Sequence, residues 1–497
     1  MEYKRPTPDA QEVKFKPRLI IHGGAGNIPG RDKMSPETYA EYRESLLRIV
    51  TKTDAYMRTP LPLPSSKQPF QFTIPFPPSS PTYTYPSALA IATYAVRQLE
   101  DDPLFNAGHG AVFTRDGINE LEASVMVSRP SNSSSSSSHR APHGHHYNKR
   151  GVGVTGLRRV RNPILLARAI LEHGDEDLAG VKAQGFDPGE KDGEKEDHLD
   201  VPSAQGHTLL HGPTAESLAR QYGIALVDSP SYFYTQKRWD EHVRGLARAR
   251  RQHDGGPATA TASWSPDEYL PQGTTGAVAL DSEGVLCVAT STGGMTNKLT
   301  GRIGDTPVVG AGFWAEEWEV ADEGKGERME GMEGWREYFT NGFSGPAVEL
   351  SSSLRAFLGD CIPTPFLYTP LITPSTQQRQ QKQHQQTKTR ALAISGTGNG
   401  DSFMRVSAAR SVGAMARWAG VSAAEALFRI TGPGGELQRS AGDRWGRTGE
   451  GEGGMIGIGV EGGRAVVIHD HNSSGMFRAW IDDEGLARFK IWRDFDE

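Results

Sequence analysis

The sequence predicts a globular protein of mixed α and β structure whose core is interrupted by several surface insertions. Runs of apolar residues typical of strands alternate with segments in which apolar residues recur at helical spacing. Only 36% of the 497 residues are hydrophobic, while glycine (58) and proline (32) are abundant, which indicates that loop-like segments dilute the core. The net charge of −6 provides no basic surface for nucleic acid.

Cysteine content and hydropathy narrow the class of protein further. Cys287 and Cys361 are too few for a disulfide framework or a cysteine-rich zinc site, and they suit a reducing compartment. The chain has no run of about 18 apolar residues that would predict a membrane span, and its N-terminus lacks the apolar segment of a signal peptide. We therefore expect a cytoplasmic protein that binds neither nucleic acid nor a membrane.

In the first half of the chain, a short strand is predicted at Leu19 to Ile21, followed by a glycine-rich turn over 22–26. A helix is predicted after Pro86, with Ser87 as its N-cap. The apolar residues of this helix recur at helical spacing: Leu89, Ala92, Val96 and Leu99. Low-complexity, charged or mixed polar composition predicts insertions at about 55–86, 128–150, 186–200 and 240–272.

In the second half, two β-rich segments joined by a short polar turn predict a hairpin, with strands at Gly276 to Asp281 and Val285 to Ser291. A charged and glutamine-rich tract predicts a long insertion at about 316–390. Further elements are predicted as helices at Ala408 to Trp418 and Ser422 to Ile430, and as strands at Gly454 to Val460 and Arg464 to Asp470.

Reactive side chains are most concentrated between residues 273 and 312. Hydroxyl residues stand there beside glycines, which suits a site where a ligand approaches the backbone closely: Thr274, Thr275, Thr290, Ser291 and Thr292. Arg302 and Asp305 carry opposite charges and are suited to hold the carboxylate and the ammonium of a zwitterion. The competing interpretation is a threonine-rich hairpin followed by an ordinary surface ion pair.

Several distant segments, read together, resemble the plant-type asparaginase and isoaspartyl peptidase family of N-terminal nucleophile hydrolases. They occur in the family's order as IIHGGAG (20–26), LEDDPLFNAGHGAVFTRDGINELEASVM (99–126), NPILLARAILE (162–172), GTTGAVAL (273–280), ATSTGGMTNKLTGRIGDTPVVGAG (289–312), SGTGNGDSFMR (395–405) and the weaker HNSSGMFRAW (471–480). The resemblance implies an α+β fold, a four-layer αββα sandwich with two antiparallel sheets between helix layers. The insertions would decorate its surface.

The resemblance also implies self-cleavage between Gly273 and Thr274. The chain would then form an α portion, 1–273, and a β portion, 274–497, of one domain. A threonine hydroxyl is a weak nucleophile until a base takes its proton. The α-amine that cleavage frees on Thr274 would be that base, since such groups have a pKa of about 7.7–8.0. The alternative is that Thr274 is an ordinary strand threonine.

The activity implied is hydrolysis of L-asparagine to aspartate and ammonia, cleavage of β-aspartyl dipeptides, or both. The sister activities of glycosylasparaginase and of the threonine endopeptidase branch share the nucleophile and remain alternatives. A non-catalytic family member that acts through its insertions is a further one. No organic cofactor is expected, and the family implies a homodimer of cleaved αβ units.

The resemblance assigns roles to particular residues. The catalytic residues would be Thr274, Thr292, Thr397 and Asn106. The substrate-binding residues would be Arg302 for the carboxylate, Asp305 for the ammonium, the intervening Ile303 and Gly304, and the segment Thr397, Gly398, Asn399 and Gly400, of which Thr397 and Gly398 would stabilise the oxyanion. The glycine loop beside the nucleophile would be His22, Gly23 and Gly24.

Each assignment has a competing interpretation. Thr292 would otherwise be a satisfied strand hydroxyl, Asn106 a turn residue, and the glycine loop a phosphate cradle. A structural sodium ion is a further implication, held by backbone carbonyls of Leu99, Glu100, Asp102, Phe105, Ala107 and His109. The chain departs from the family pattern at Thr275, at Glu122 in place of the usual Asp, and at Asp401 in place of the common Glu.

Overall fold

The computed structural model describes residues 15–62, 83–129, 150–180, 207–255, 262–266, 268–269, 273–320 and 388–493. The chain divides into two units, and the smaller, Glu319–Lys388, lies almost wholly outside these ranges. The predicted insertion at 186–200, and most of those at 55–86, 128–150 and 316–390, also fall outside the described residues. The ends of the 316–390 segment that are described, 316–320 and 388–390, are strand and not insertion. Apart from the ends of the strands at 313–320 and 388–398, the described helices and strands belong to the larger unit.

The described residues of this unit contain both helices and strands, as expected for an α+β fold. The strands are β1 (Arg18–Gly26), β2 (Leu61–Pro62), β3 (Tyr83–Thr84), β4 (Leu121–Val127), β5 (Arg150–Leu157), β6 (Leu209–His211), β7 (Thr275–Leu280), β8 (Leu286–Thr292), β9 (Phe313–Val320), β10 (Lys388–Gly398), β11 (Gly453–Glu461), β12 (Arg464–His471), β13 (Gly475–Ile481) and β14 (Ala487–Lys490). The helices are α1 (Pro36–Met57), α2 (Ala88–Glu100), α3 (Pro163–Gly180), α4 (Gly212–Gln221), α5 (Gln236–His253), α6 (Gly400–Arg405), α7 (Ala408–Trp418), α8 (Ala423–Thr431) and α9 (Glu436–Arg439).

Two large sheets contain all the described strands except β2 and β3, which pair with each other. The larger has the order β14-β13-β1-β7-β8-β4-β5-β6, and the smaller has the order β12-β11-β10-β9. The central ladders of the larger sheet, from β13 to β4, are antiparallel, as are those that join β10, β11 and β12. The predicted hairpin is confirmed as β7 and β8, whose register pairs Val278 with Val288.

Alternate side chains of the central strands enter two separate apolar clusters, as the two faces of a strand require. One cluster combines residues of both sheets, including Ile20, Val278, Val288, Phe313, Ala393, Ile456 and Ile458. The other combines the opposite face of the larger sheet with α1 to α4, including Leu19, Ile21, Ala277, Ala289, Leu46, Val96 and Ile164. Helix α8 packs on β11 and β12 of the smaller sheet.

Local sequence signals fix several helix ends. Ser87 caps α2 as predicted, since its hydroxyl accepts from the backbone N–H of Ala90 at 3.3 Å. Ser422 caps α8 in the same way through the N–H of Glu425. The predictions for α7, α8, β11 and β12 are confirmed within one or two residues at their ends. No helix in the described part of the chain is long and apolar enough to span a membrane.

The glycine-rich segment 22–26 is not the predicted turn. Strand β1 continues through it to Gly26 and pairs with β13, with a register shift between His22 and Gly24. The glycines serve close packing, because a Cβ on Gly23 would lie 2.5 Å from the ring of Phe105. Gly24 has a φ of +119°, which side chains rarely adopt.

The segment 240–272, predicted as an insertion of mixed polar composition, contains most of helix α5. Thr235 caps this helix through the N–H of Arg238. The helix is attached through a buried charge, since the guanidinium of Arg238 donates to the carbonyls of Leu104 (2.8 Å) and Gly110 (2.9 Å). Apolar periodicity does not predict this helix, because Arg238 lies on its buried face.

Candidate active site

Thr274 lies immediately before β7, where the ends of several strands meet. Because Thr275 pairs with Ser291 in the antiparallel ladder of β7 and β8, the next position on each strand brings Thr274 beside Thr292. Thr274 is 3% exposed. Its hydroxyl lies 2.9 Å from the hydroxyl of Thr306, which follows Asp305 directly.

Gly273 lies against the glycine loop and the end of β10. A Cβ at Gly273 would lie 2.6 Å from Cα of Gly24, 2.7 Å from the backbone nitrogen of Ala25 and 2.9 Å from the hydroxyl of Thr397. Any side chain there would displace backbone atoms. The peptide unit before Thr274 is therefore held in a space that admits only glycine.

The hydroxyls of Thr397 and Thr292 are both buried and both accept a backbone hydrogen bond. The N–H of Ala25 donates to Thr397 Oγ1 at 3.1 Å, and the N–H of Gly294 donates to Thr292 Oγ1 at 3.0 Å. A hydroxyl that accepts from a fixed N–H keeps its own proton to donate elsewhere. Thr397, next to Gly273, thus has a donor available at the scissile peptide.

Asn106 bridges two segments of the site. Its side-chain amide donates to the carbonyl of Gly294 at 2.7 Å, and its Oδ1 accepts from the N–H of Val112 at 3.0 Å. A Cβ at Gly293 would lie 2.7 Å from that Oδ1. Asn106 therefore joins the turn that follows β8 to the backbone of Val112, and neither of these side-chain hydrogen bonds is with Thr274.

The predicted substrate-binding residues Arg302, Asp305 and Gly400 converge. A Cβ at Gly400 would lie 2.5 Å from Oδ1 of Asp305 and 3.1 Å from Nη2 of Arg302. Arg302 donates to Asp401 at 2.9 Å, and 18% of its side chain is exposed. The structure thus brings a reachable guanidinium next to a buried carboxylate.

Asp305 is a buried carboxylate that is only partly compensated by its surroundings. Its Oδ2 has no hydrogen-bond partner among the described residues. Burial raises the pKa of Asp305 to about 7, against an opposing contribution from Arg302. A buried carboxylate oxygen without a partner is unfavourable in the free protein, so binding of a cation to it would be favourable.

Other predicted residues have their polar groups already engaged. The Asn399 side chain caps α6, since its Oδ1 accepts from the N–H and the hydroxyl of Ser402. The N–H of Gly304 donates to both carboxylate oxygens of Glu122 at 3.1 and 3.3 Å. Ile303 is 37% exposed.

Glu122, noted only as a departure from the family pattern, supports the segment that carries Arg302 and Asp305. It is fully buried, and it also accepts from the hydroxyl of Thr155 at 3.2 Å. Lys298 Nζ lies 3.9 Å away. The side chain of Glu122 is longer than that of the usual Asp, so its carboxylate can reach the backbone N–H of Gly304.

His22 joins β1 to β10 beneath the nucleophile. Its Nε2 lies 2.7 Å from the hydroxyl of Ser395, and its ring is close to the backbone of Thr274. Burial lowers the pKa of His22 to about 3, so the ring is neutral. It therefore acts as a fixed hydrogen-bonding group.

Thr306 and Ser395 were not predicted from the sequence as site residues. Thr306 has a signal in the sequence, because it is a hydroxyl residue directly after the predicted ammonium ligand. Ser395 precedes Thr397 by two positions on β10, and so it shares a face with it. Neither signal identifies a contact without the strand register.

The loop after α2, where the resemblance implies a sodium ion, packs closely around its glycines. A Cβ at Gly108 would overlap the carbonyl oxygen of Glu100, and one at Gly110 would overlap that of Phe105. No group of three or more His, Cys, Asp or Glu side chains in the described ranges is placed to bind a metal.

Comparisons with known proteins show the family of the chain. A family model described as asparaginase matches residues 85–139 and 200–331. An isoaspartyl peptidase of Salmonella typhimurium is 34% identical over 305 residues, which are 61% of this chain and 71% of that protein. A plant-type L-asparaginase of Pyrococcus furiosus is 31% identical over 302 residues, 60% of this chain and 70% of that protein. The chain therefore belongs to the plant-type asparaginase and isoaspartyl peptidase family.

Proposed function

We propose that the chain is an amidohydrolase with an N-terminal threonine nucleophile. It cleaves itself between Gly273 and Thr274, then hydrolyses L-asparagine to aspartate and ammonia and cleaves β-aspartyl dipeptides. The observation that carries the proposal is the contact of Thr274 with Thr306, next to the unpaired carboxylate of Asp305. The names of relatives such as the isoaspartyl peptidase of Escherichia coli support it.

Self-cleavage begins with attack of Thr274 Oγ1 on the carbonyl carbon of Gly273. The C–N bond breaks as an ester forms, and the proton lost from the hydroxyl ends on the new amine. Water then hydrolyses the ester, which leaves a carboxylate on Gly273 and a free α-amine on Thr274. The closeness of the Thr397 hydroxyl to Gly273 supports a role for it in stabilising the oxyanion in both steps.

Turnover uses the same groups on an external amide. The α-amine of Thr274 takes the hydroxyl proton, and Oγ1 attacks the side-chain carbonyl carbon of the substrate. Ammonia, or the amino acid of a β-aspartyl dipeptide, leaves with that proton. Water then attacks the acyl-enzyme and releases aspartate. The Thr397 hydroxyl and the Gly398 N–H are the proposed oxyanion donors, and loss of one such donor lowers the rate by about 10²–10³-fold.

Substrate recognition follows from the two charges beside Gly400. Arg302 binds the α-carboxylate, for which its contact with Asp401 leaves further N–H donors. Asp305 accepts the α-ammonium through its free Oδ2. Together the two interactions select substrates that carry a free aspartyl α-carboxylate and α-amine, and the second also gives the buried Oδ2 of Asp305 a partner.

The finer architecture is also a proposal. A four-layer αββα sandwich is supported by the apolar cluster that both sheets share and by the packing of α8 on the smaller sheet. A sodium ion held by carbonyls of the loop after α2 would stabilise that loop and take no part in the chemistry. A homodimer of cleaved αβ units is carried over from the family.

The test measures ammonia and aspartate release from L-asparagine and from a β-aspartyl dipeptide. We expect activity from the wild-type chain, none from Thr274→Ala, and nearly full activity from Thr275→Ala. Thr275 is a matched control, because its hydroxyl donates to the Ser291 carbonyl at 3.1 Å on the neighbouring strand. Equal activity of Thr274→Ala and the wild type would overturn the proposal.

A further inference from the structure

The segment that precedes the scissile peptide is held by side chains from several distant elements. We call residues 262–266 and 268–269 the anchored arm. It lies on the α side of the cleavage point, and part of what holds it lies on the β side. The catalytic steps proposed for Thr274 do not use these contacts.

Trp264 is the main point of attachment. It is 4% exposed, and its indole N–H donates to Oε2 of Glu452 at 3.3 Å. The ring lies against Gly449, where a Cβ would be 2.7 Å from the indole nitrogen. The carbonyl of Glu452 accepts from the N–H of Asn399 at 2.9 Å. The indole is thus attached to the turn that carries Gly398 and Gly400.

Two polar contacts hold the arm beyond Trp264. The side-chain amide of Asn27, at the end of β1, donates to the carbonyls of Ser265 at 2.7 Å and Pro266 at 3.0 Å. Glu268 forms ion pairs with Arg244 at 2.8 Å and with Arg248 at 2.9 Å, both on α5. These contacts attach Ser265, Pro266 and Glu268 to the end of β1 and to α5.

Tyr269 completes the attachment four residues before Gly273. Its ring packs edge-on against Phe477 with centroids 6.3 Å apart, and its hydroxyl lies 3.6 Å from the position of a Cβ on Gly24. Four residues span at most about 14 Å when extended. Attachment at Tyr269 therefore confines Gly273 to the neighbourhood of the glycine loop.

We propose that the anchored arm holds the Gly273–Thr274 peptide in position for self-cleavage, with Trp264 as its principal positioning residue. The inference rests on the proposed function, because it concerns the maturation step of that same site. Fixing the reacting groups before attack removes their translational and rotational freedom, and a misplacement of about 1 Å can lower a rate 10²-fold. Cleavage ends this requirement, so turnover of the mature enzyme does not depend on it.

The test compares maturation with turnover in the full-length chain. Chains are synthesised in a cell-free system, and the first-order rate at which the two fragments appear is measured by denaturing electrophoresis. Asparagine hydrolysis is then measured per mole of free N-terminal threonine. The variants are Trp264→Ala, Trp264→Phe and Asn27→Ala. Trp418→Ala is the control, since Trp418 is a tryptophan with 68% exposure whose ring lies against Arg410 and Arg417 of its own helix.

We expect Trp264→Ala to slow fragment formation roughly 10- to 100-fold, and Trp264→Phe and Asn27→Ala to slow it less. Trp418→Ala should match the wild type, and all matured enzymes should turn over asparagine equally. The inference is overturned by unchanged maturation in Trp264→Ala and Asn27→Ala. It is also overturned by a parallel loss of turnover per mature site. A wild-type chain that stays uncut would instead refute the proposed function itself.

Discussion

Replacing Asp305 with asparagine should raise the free energy of unfolding of the ligand-free protein at pH 8 and should weaken substrate recognition. The carboxylate is buried, its Oδ2 has no described partner, and burial raises its pKa from 3.8 to about 7. Between about pH 4 and pH 7 the unfolded chain has released this proton while the folded chain still holds it. The group therefore lowers the free energy of unfolding as the pH rises through that window.

The magnitude follows from the two pKa values. Raising a pKa from 3.8 to about 7 corresponds to about 4 kcal/mol once the folded carboxyl is ionised. Asparagine keeps the shape without the charge, but an unpaired amide costs about 1–3 kcal/mol. At pH 8 we expect Asp305→Asn to raise the free energy of unfolding of the ligand-free protein by roughly 1–3 kcal/mol.

Recognition should weaken in the same variant. A hydrogen bond to a charged group contributes about 1.5–3 kcal/mol, so kcat/KM for asparagine should fall roughly 10- to 150-fold. Urea unfolding at pH 8 and pH 4 is measured in a Thr274→Ala background, so that every chain is uncut. Equal destabilisation at both pH values, or an unchanged kcat/KM, would show that Asp305 is not a buried carboxylate whose free Oδ2 binds the substrate ammonium.

Further predictions concern the neighbours of the nucleophile. Thr306→Val should slow both fragment formation and turnover by roughly tenfold, about the effect of one hydrogen bond, as followed by electrophoresis and ammonia release. Gly273→Ala should leave the chain uncut on electrophoresis, because the new methyl would lie 2.6 Å from Cα of Gly24. Glu122→Ala should raise KM more than it lowers kcat in steady-state assays, because Gly304 loses its acceptor, and Glu122→Gln should restore part of the effect. Wild-type kcat/KM should fall as the pH is lowered, first as the α-amine of Thr274 is protonated and then, below about pH 7, as Asp305 is protonated; Asp305→Asn should remove only the second part of the fall.

Elements with local signals could be predicted from the sequence. The β7–β8 hairpin follows from two apolar runs around a polar turn, and α2 follows from Ser87 and its helical spacing. Strand β1 was predicted to end too early, since the glycines at 22–26 resemble a turn. Their actual reason is the ring of Phe105 packed on Gly23, a contact between residues far apart in the chain.

In the candidate site, too, some residues could be identified from the sequence, while other contacts could not. Thr274, Arg302 and Asp305 were identified from residue types and from the family resemblance. The contact of Thr274 with Thr306 depends on how separate loops pack, and no local pattern encodes it. The attachment of Trp264 to Glu452 likewise joins residues 188 positions apart, so only the folded arrangement reveals it.

Mass spectrometry of the purified protein tests the central claim most directly. We expect the masses of two fragments, residues 1–273 and 274–497, with threonine at the new N-terminus, and the mass of an intact chain for Thr274→Ala. An intact wild-type chain that hydrolyses asparagine, or fragments that begin at another residue, would contradict the claim that Thr274 becomes both nucleophile and base.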